Sequence, residues 1–380
     1  MNNTIIIIGS GLAGYTLARE FRKLDKTTPL MLITRDAGDF YSKPMLSNAL
    51  AQNKTAEQLV TTPADAIAVQ LDLTLHTQTE VTRIDKSVRL VETTAGNFDY
   101  AKLIFALGAD PIRLPLAGAA ADEVLSVNDI ADYARFRQRV ANKKHIAIVG
   151  AGLIGCEFAN DLANAGYKVT VIDPTAYPLS SLLPELAGKQ LLGPLQQIGV
   201  TFRFGVAVSA VDKNDAAYKL TLNNGEIINA DLVLSAVGLR PRIALARGTG
   251  LSVNRGIVVN HYAQSSDEHI YALGDCAEYH GGVTLPYVMP IMHAARALAQ
   301  TLAGTQTAVA FPSMPVIIKT PAHPVVVQPA PKNIPGVWQL LESDGGVKMA
   351  FTDNDNKIHG FVLTGTKTAE RQAMLKLLAL

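Results

Sequence analysis

Two hexapeptides of the form G-x-G-x-x-G occur in this chain, Gly9-Ser10-Gly11-Leu12-Ala13-Gly14 and Gly150-Ala151-Gly152-Leu153-Ile154-Gly155. In such a turn the first glycine lets a strand double back into a helix, the second lets backbone approach a pyrophosphate, and the third lets the helix pack on the strand. The phosphate charge then meets the helix N-terminus. Each hexapeptide is followed by a strand-like run ending in an acid, Leu30 to Asp36 and Lys168 to Asp173. A carboxylate there can bind a ribose hydroxyl. One such motif is often only a tight turn, but two copies, each with its acid, imply two dinucleotide sites. Asp173 is followed by Pro174 and Thr175 with no arginine nearby. That site is expected to accept a 2′-hydroxyl and repel a 2′-phosphate, favouring NAD(H), which leaves FAD for the first.

The elements that must position these turns are legible around them. Ile5 to Ile8 is a β-branched run suited to a buried parallel strand, and Leu17, Ala18, Phe21 and Leu24 then recur at helical spacing. Ile146 to Val149 repeats the strand, and Phe158, Ala159 and Leu162 the inner face of a helix stopped by Gly166. With 380 residues, 48% hydrophobic and 18% charged, the chain is long and apolar enough for two or three domains. Lys+Arg 34 against Asp+Glu 33 leaves no global field for nucleic acid or an anionic membrane. The segment from Met1 lacks a signal peptide's basic and apolar regions, and the uncharged window between Arg296 and Lys319 is broken by Thr, Gln, Gly and Pro. A cytoplasmic protein is expected. The 8 histidines show no metal-binding spacing, so no metal is expected, and Cys156 and Cys276 read as buried packing residues.

Three further segments carry a resemblance. The run Asp99 to Gly108 resembles the "D-x-L-I-x-A-T-G" element of two-dinucleotide flavoprotein reductases of the pyridine nucleotide-disulphide oxidoreductase superfamily, with Leu107 in place of Thr. Asp231 to Pro241 is similar to the element that leaves their NAD domain, and Ile270-Tyr271-Ala272-Leu273-Gly274-Asp275 to the strand whose aspartate binds the flavin ribityl chain. The resemblance implies an α/β fold of two doubly wound Rossmann-like domains plus a small α+β C-terminal domain. The FAD-binding domain is expected at 1–109 and 246–312, the NAD(H)-binding domain at 110–245 and the C-terminal domain at 313–380. Short runs at Val316–Lys319, Pro324–Val327, Val337–Leu341, Val347–Phe351 and Phe361–Leu363 read as strands of this tail, ending in a helix near Ala369–Leu380.

Disulfide and peroxide reductases of this superfamily place cysteine after the first ribose acid, whereas this chain has Tyr41-Ser42-Lys43-Pro44-Met45-Leu46-Ser47. Without a thiol that can cycle, the flavin itself is the exit for electrons, which suits a one-electron iron acceptor. That segment, Gly152 to Leu162 and Val288-Met289-Pro290 resemble the ferredoxin and rubredoxin reductases, the rubredoxin group most closely. The resemblance implies an NADH-dependent enzyme that passes electrons one at a time to rubredoxin, in alkane hydroxylation or oxygen defence. Other readings are a ferredoxin reductase of a dioxygenase, an NADH oxidase or peroxidase, and a non-enzymatic flavin-binding module of the apoptosis-inducing-factor type. A monomer is expected.

Site roles follow from the resemblance. Gly9, Ser10, Gly11, Leu12, Ala13 and Gly14 would cradle the FAD pyrophosphate, with Thr34, Arg35 and Asp36 at the adenosine ribose and Val81 at the adenine. Ala106, Gly108, Gly274 and Asp275 would line the flavin side, with the helix after Val288 stabilising charge on the ring and Pro290 at its first position. Gly150, Gly152, Leu153, Ile154, Gly155, Asp173 and Gly238 would hold NAD(H). Glu157 would meet the nicotinamide carboxamide, paired with Lys43 or Lys319, and these three would form the catalytic set, acting by placing nicotinamide C4 against flavin N5. Lys43, Arg240, Arg242 and Lys319 are candidates for a basic rim that steers an acidic rubredoxin.

Overall fold

A computed structural model describes residues 3–214 and 217–379. Met1, Asn2 and Leu380, at the ends of the expected first and last domains, lie outside the described residues. The chain divides into two compact units, Met1–Lys43 with Glu57–Asp110 and Leu239–Pro312, and Pro44–Ala56 with Pro111–Gly238 and Ser313–Leu380.

The first unit is built on a five-stranded parallel sheet in the spatial order Ile270–Ala272, Lys102–Phe105, Ile5–Ile8, Leu30–Ile33 and Thr74–His76. Its central strand is four consecutive isoleucines, none more than 6% exposed, because helices cover a parallel sheet on both faces. The helix Leu12–Leu24 buries Tyr15, Leu17, Ala18 and Phe21 and packs on the helix Val288–Leu302. Leu24, expected on the inner face, is 46% exposed. It is the last helical residue, followed by Asp25 in an extended conformation. Pro290 occupies the third helical position rather than the first, still within the turn whose N–H groups have no partner inside the helix. A three-stranded antiparallel sheet, Val81–Asp85, Leu90–Thr93 and Gly96–Asp99, completes this unit's larger strands.

The second unit repeats the parallel pattern in the order Val200–Phe204, Lys168–Asp173, His145–Val149 and Leu232–Ser235. The helix Leu153–Asn164 buries Phe158, Ala159 and Leu162, and Gly166 follows its end at φ +89. A meander of Val208–Asn214, Ala217–Leu222 and Ile227–Ala230 packs beside it. The tail forms a five-stranded antiparallel sheet in the order Val316–Ile318, Val325–Gln328, Ile358–Thr364, Lys348–Thr352 and Val337–Glu342, followed by the helix Arg371–Leu377. Its inner residues Val326, Ala350, Phe361 and Leu363 share a core with Met374 and Leu378.

Candidate functional site

The three glycines of each hexapeptide face different demands. Gly9 has φ +114, and a Cβ there would lie 2.3 Å from the carbonyl oxygen of Ala106. A Cβ on Gly14 would lie 2.0 Å from the carbonyl oxygen of Gly9. A Cβ on Gly11 would meet no protein atom within 4 Å. The second turn is the same: Gly150 has φ +108 with Ala236 O at 2.7 Å, Gly155 has Gly150 O at 2.0 Å, and Gly152 meets nothing. The fold itself therefore requires the outer glycines, and the middle ones leave backbone open to a closely approaching phosphate. This arrangement fits a dinucleotide at each turn.

Around the first turn, Asp36 lies beyond the end of its strand at Ile33, and its Oδ1 accepts from Ser10 Oγ at 2.8 Å, Thr34 Oγ1 at 2.8 Å and Gly38 N at 3.0 Å. Ser10 and Thr34 are also 2.9 Å apart, so the second strand's exit is tied to the glycine turn. Arg35 is exposed and lies 3.9 Å from Asp110. Gly274, at φ +77, sits where a Cβ would come 2.8 Å from Ala13 Cβ, which brings the Ile270–Asp275 element onto the helix that begins at the glycine turn. Burial pushes the Asp275 carboxyl up, and the charges of Lys43 and Arg242 oppose that rise. Lys43 opens the 3₁₀ helix Lys43–Asn48. Ala106 closes the strand Lys102–Phe105, and Gly108 follows at φ +70, its carbonyl accepting from Arg242 N at 3.0 Å. Val81 begins its strand half-buried, and Val288 begins its helix half-buried. Arg242 donates to Asp110 at 2.6 Å and to Leu107 O at 2.8 Å, so its charge is neutralised locally rather than offered to a rim.

At the second turn, Asp173 Oδ2 accepts from Ala151 N at 2.7 Å, while Oδ1 accepts from Thr175 N at 2.8 Å and Thr175 Oγ1 at 2.5 Å. The acid that faces a ribose in this motif thus also holds the glycine turn. Leu153 and Ile154 form the first helical turn, and Gly238, at φ +112, accepts from Ile112 N at 3.0 Å.

One turn into the helix, the Glu157 carboxylate is fully buried and triply bound. Oε2 lies 2.9 Å from Lys319 Nζ and accepts from Ser47 Oγ at 2.5 Å, while Oε1 accepts from Lys319 N at 2.9 Å. Lys319 stands one residue past the strand Val316–Ile318 rather than within it, so both its amide and its ammonium turn toward Glu157. Its Nζ also donates to Ser47 Oγ at 3.1 Å and to Pro44 O. An ammonium that pairs with a buried carboxylate and keeps a third of its side chain exposed fits a polar end for a carboxamide. The sequence gives Ser47 no role of its own; its one signal is its place in the Tyr41-Ser42-Lys43-Pro44-Met45-Leu46-Ser47 run.

Both cysteines are free and buried; burial pushes the Cys156 thiol up and the Cys276 thiol up to about 12, so neither carries thiolate near neutral pH.

A family model described as pyridine nucleotide-disulphide oxidoreductase matches residues 3–301, and one described as rubredoxin binding C-terminal domain matches residues 308–378. The chain is 47% identical to the rubredoxin-NAD(+) reductase of Alcanivorax borkumensis, over 98% of this chain and 97% of that protein. It is 37% identical to the nitric oxide reductase FlRd-NAD(+) reductase of Aeromonas hydrophila, over 99% of this chain and 96% of that one. Among solved structures, the ferredoxin reductase for the CYP199A2 system from Rhodopseudomonas palustris matches at a TM-score of 0.90 and 22% identity, covering 100% of this chain and 96% of that one. Putidaredoxin reductase, from its covalent complex with putidaredoxin, matches at 0.88 and 25%, covering 98% and 92%. With two glycine turns, and with this likeness over nearly its whole length, the chain belongs to the pyridine nucleotide-disulphide oxidoreductase family, as an FAD- and NAD(H)-dependent oxidoreductase.

Proposed function

We propose that the protein is an NADH-dependent FAD reductase of rubredoxin, converting NADH and two oxidised rubredoxins to NAD⁺, a proton and two reduced rubredoxins. The observation that carries this reading is the match of residues 308–378 to a rubredoxin-binding domain, together with identity to a rubredoxin-NAD(+) reductase over nearly the full chain. The chemistry a bound FAD would supply is acceptance of the two electrons of one hydride and their release singly. The division into an FAD domain at 1–109 and 246–312, an NAD(H) domain at 110–245 and a tail from 313 is the functional partition we propose.

In this reading Gly9 to Gly14 and Gly150 to Gly155 hold the two pyrophosphates, and Asp36 and Asp173 hold the riboses. Asp275, Ala106, Gly108, Gly274, Val81 and the helix from Val288 hold the rest of FAD. Glu157 and Lys319 receive the nicotinamide carboxamide, with Ser47 fixing the carboxylate, and Lys43 contacts the flavin. No residue needs to act as a general acid or base for a hydride step, so the chain's contribution is orientation. Arg242 and Lys319 are paired internally, and of the remaining rim candidates, Lys43 and Arg240, we assign the steering of an acidic partner to the exposed Arg240 and the flavin contact to Lys43. Among the described residues no helix is long and apolar enough to cross a membrane. A cytoplasmic monomer serving alkane hydroxylation or oxygen defence is the setting we propose.

The deciding experiment is steady-state reduction of purified rubredoxin and of a [2Fe–2S] ferredoxin by NADH and by NADPH. Rubredoxin with NADH is expected to give the highest kcat/KM. Preference for ferredoxin would move the assignment to a dioxygenase-type reductase, and poor reduction of both would favour a sensing flavoprotein.

A further inference from the structure

The helix Leu153–Asn164 carries three polar side chains at i, i+3 and i+4, namely Glu157, Asn160 and Asp161, all buried to 4% exposure or less. Glu157 belongs to the site already described. Asp161 does something separate: its two carboxylate oxygens accept from two successive backbone amides, Leu50 N at 2.9 Å and Ala51 N at 3.1 Å. Asn160 Oδ1 accepts from Ala322 N at 3.0 Å, three residues beyond Lys319.

One helix face therefore grips both segments that bring groups to Glu157. The segment holding Ser47 is caught three residues downstream by Asp161, and the segment holding Lys319 is caught three residues downstream by Asn160. The far end of the Ser47 segment has its own anchor, Lys54 O, which accepts from Tyr133 OH at 2.9 Å and Arg137 Nη1 at 2.5 Å. Asp161 thus holds the segment between Ser47 and that far anchor. A two-point hold from a single carboxylate fixes direction as well as distance, because neither amide can swing without breaking the other's bond. Burial works against the charged carboxyl and the two amides favour it. A neutral side chain could tie down an indifferent loop at less cost.

We propose that Asp161 is a positioning residue for the Glu157–Lys319 centre, holding the segment Pro44–Ala51 so that Ser47 Oγ and Pro44 O stay on Lys319 and Glu157. The proposal rests on the reading above that this centre receives nicotinamide. Loss of the hold lets Ser47 drift, and misplacement on the order of 1 Å costs up to about a hundredfold in rate.

The test is anaerobic stopped-flow reduction of the FAD-loaded protein, scored per bound flavin, with NADH and separately with dithionite. Asp161→Ala is expected to slow reduction by NADH roughly ten- to hundredfold while leaving dithionite reduction unchanged; Asp161→Asn, which keeps one acceptor, falls between. On a Ser47→Ala background Asp161→Ala is expected to add less than about twofold, since both changes remove the same hold. A purely structural role would lower the melting temperature and leave the NADH rate per flavin at its normal value, and that result overturns the proposal. Full additivity with Ser47→Ala also overturns it. If Asp161→Ala does not fold, a normal NADH rate in Asp161→Asn does the same. Lys319→Met separates the two levels: a normal rate there removes the underlying assignment of the centre, whereas a slow Lys319→Met beside a normal Asp161→Ala removes only this inference.

Discussion

Replacing Lys319 by methionine keeps the aliphatic stem and deletes the ammonium that lies 2.9 Å from a carboxylate that is 0% exposed. Removing one partner of a buried pair costs about 3–5 kcal/mol, because the remaining charge is stranded away from water. Two features here bring the figure down. The Lys319 side chain is 32% exposed, so part of its attraction is already screened, and two neutral donors, Ser47 Oγ and the amide of residue 319, remain on Glu157. A loss of about 2–3 kcal/mol is expected, near the value of a hydrogen bond to a charged group with some desolvation added. The chain's single tryptophan, Trp338, packs edge-on against Phe351 at 5.5 Å within the same unit as the pair, so its fluorescence reports that unit's unfolding in urea. The four proteins of a cycle, native, Lys319→Met, Glu157→Gln and the double variant, are compared at one fixed FAD concentration, because ligand linkage shifts every midpoint. The double variant strands no charge and is expected to be at least about 1 kcal/mol more stable than Lys319→Met alone. A coupling energy within about 0.3 kcal/mol of zero would refute the buried pair, since independent sites add within that margin.

Other consequences are as direct. Gly11→Ala is expected to fold with normal far-UV circular dichroism yet bind FAD at least about tenfold more weakly, a cost of about 1.4 kcal/mol, while Gly14→Ala, whose Cβ meets backbone at 2.0 Å, does not accumulate folded; equilibrium dialysis and expression yield check both. Asp161 has its carboxyl raised above 3.8 by burial, against the pull of Leu50 and Ala51. A raised carboxyl binds its proton more tightly folded than unfolded, so its contribution is fully present below that unfolded value and fades as pH rises through the folded one. The stability of the native protein relative to Asp161→Asn should therefore fall between about pH 4 and the pH where the folded carboxyl ionises, and a flat difference by urea midpoints would contradict this. Asp173→Ala combined with Thr175→Arg should move the kcat/KM ratio toward NADPH by about tenfold or more, with some loss of overall rate because Asp173 also holds Ala151 N; an unchanged ratio would place the ribose elsewhere.

The parts of the site that could be read along the chain are those whose physics is local. A β-branched run, a glycine turn and a helix follow one another within about 20 residues of chain at Ile5–Leu24 and again at His145–Asn164, and the outer glycines of each turn answer to backbone a few residues away or directly beside them in the sheet. The missing cysteine around Lys43 is likewise a matter of composition, and it chose the chemistry without any coordinates. The short tail strands were legible because Pro, Gly, Asn and Asp punctuate them. What lay beyond the sequence depends on which distant segments meet. The resemblance leaves Glu157 to pair with Lys43 or with Lys319, and nothing along the chain says that Lys319, 162 positions away, reaches it, or that Ser47 crosses 110 positions to the same carboxylate. Leu24 shows the same limit in small: its spacing is helical and apolar, but as the last helical residue it is left exposed, and whether a face is buried at its last turn is decided by what packs against it. Asn160 and Asp161 lie in the Gly152–Leu162 run that carries the resemblance, but no role can be read from that run, and their meaning exists only because the folded unit sets the backbone of 50–51 and 322 against one helix face. Periodicity is a property of neighbours in sequence and survives in the string of letters, whereas a buried ion pair is a property of neighbours in space, fixed by packing that brings two charges out of water together.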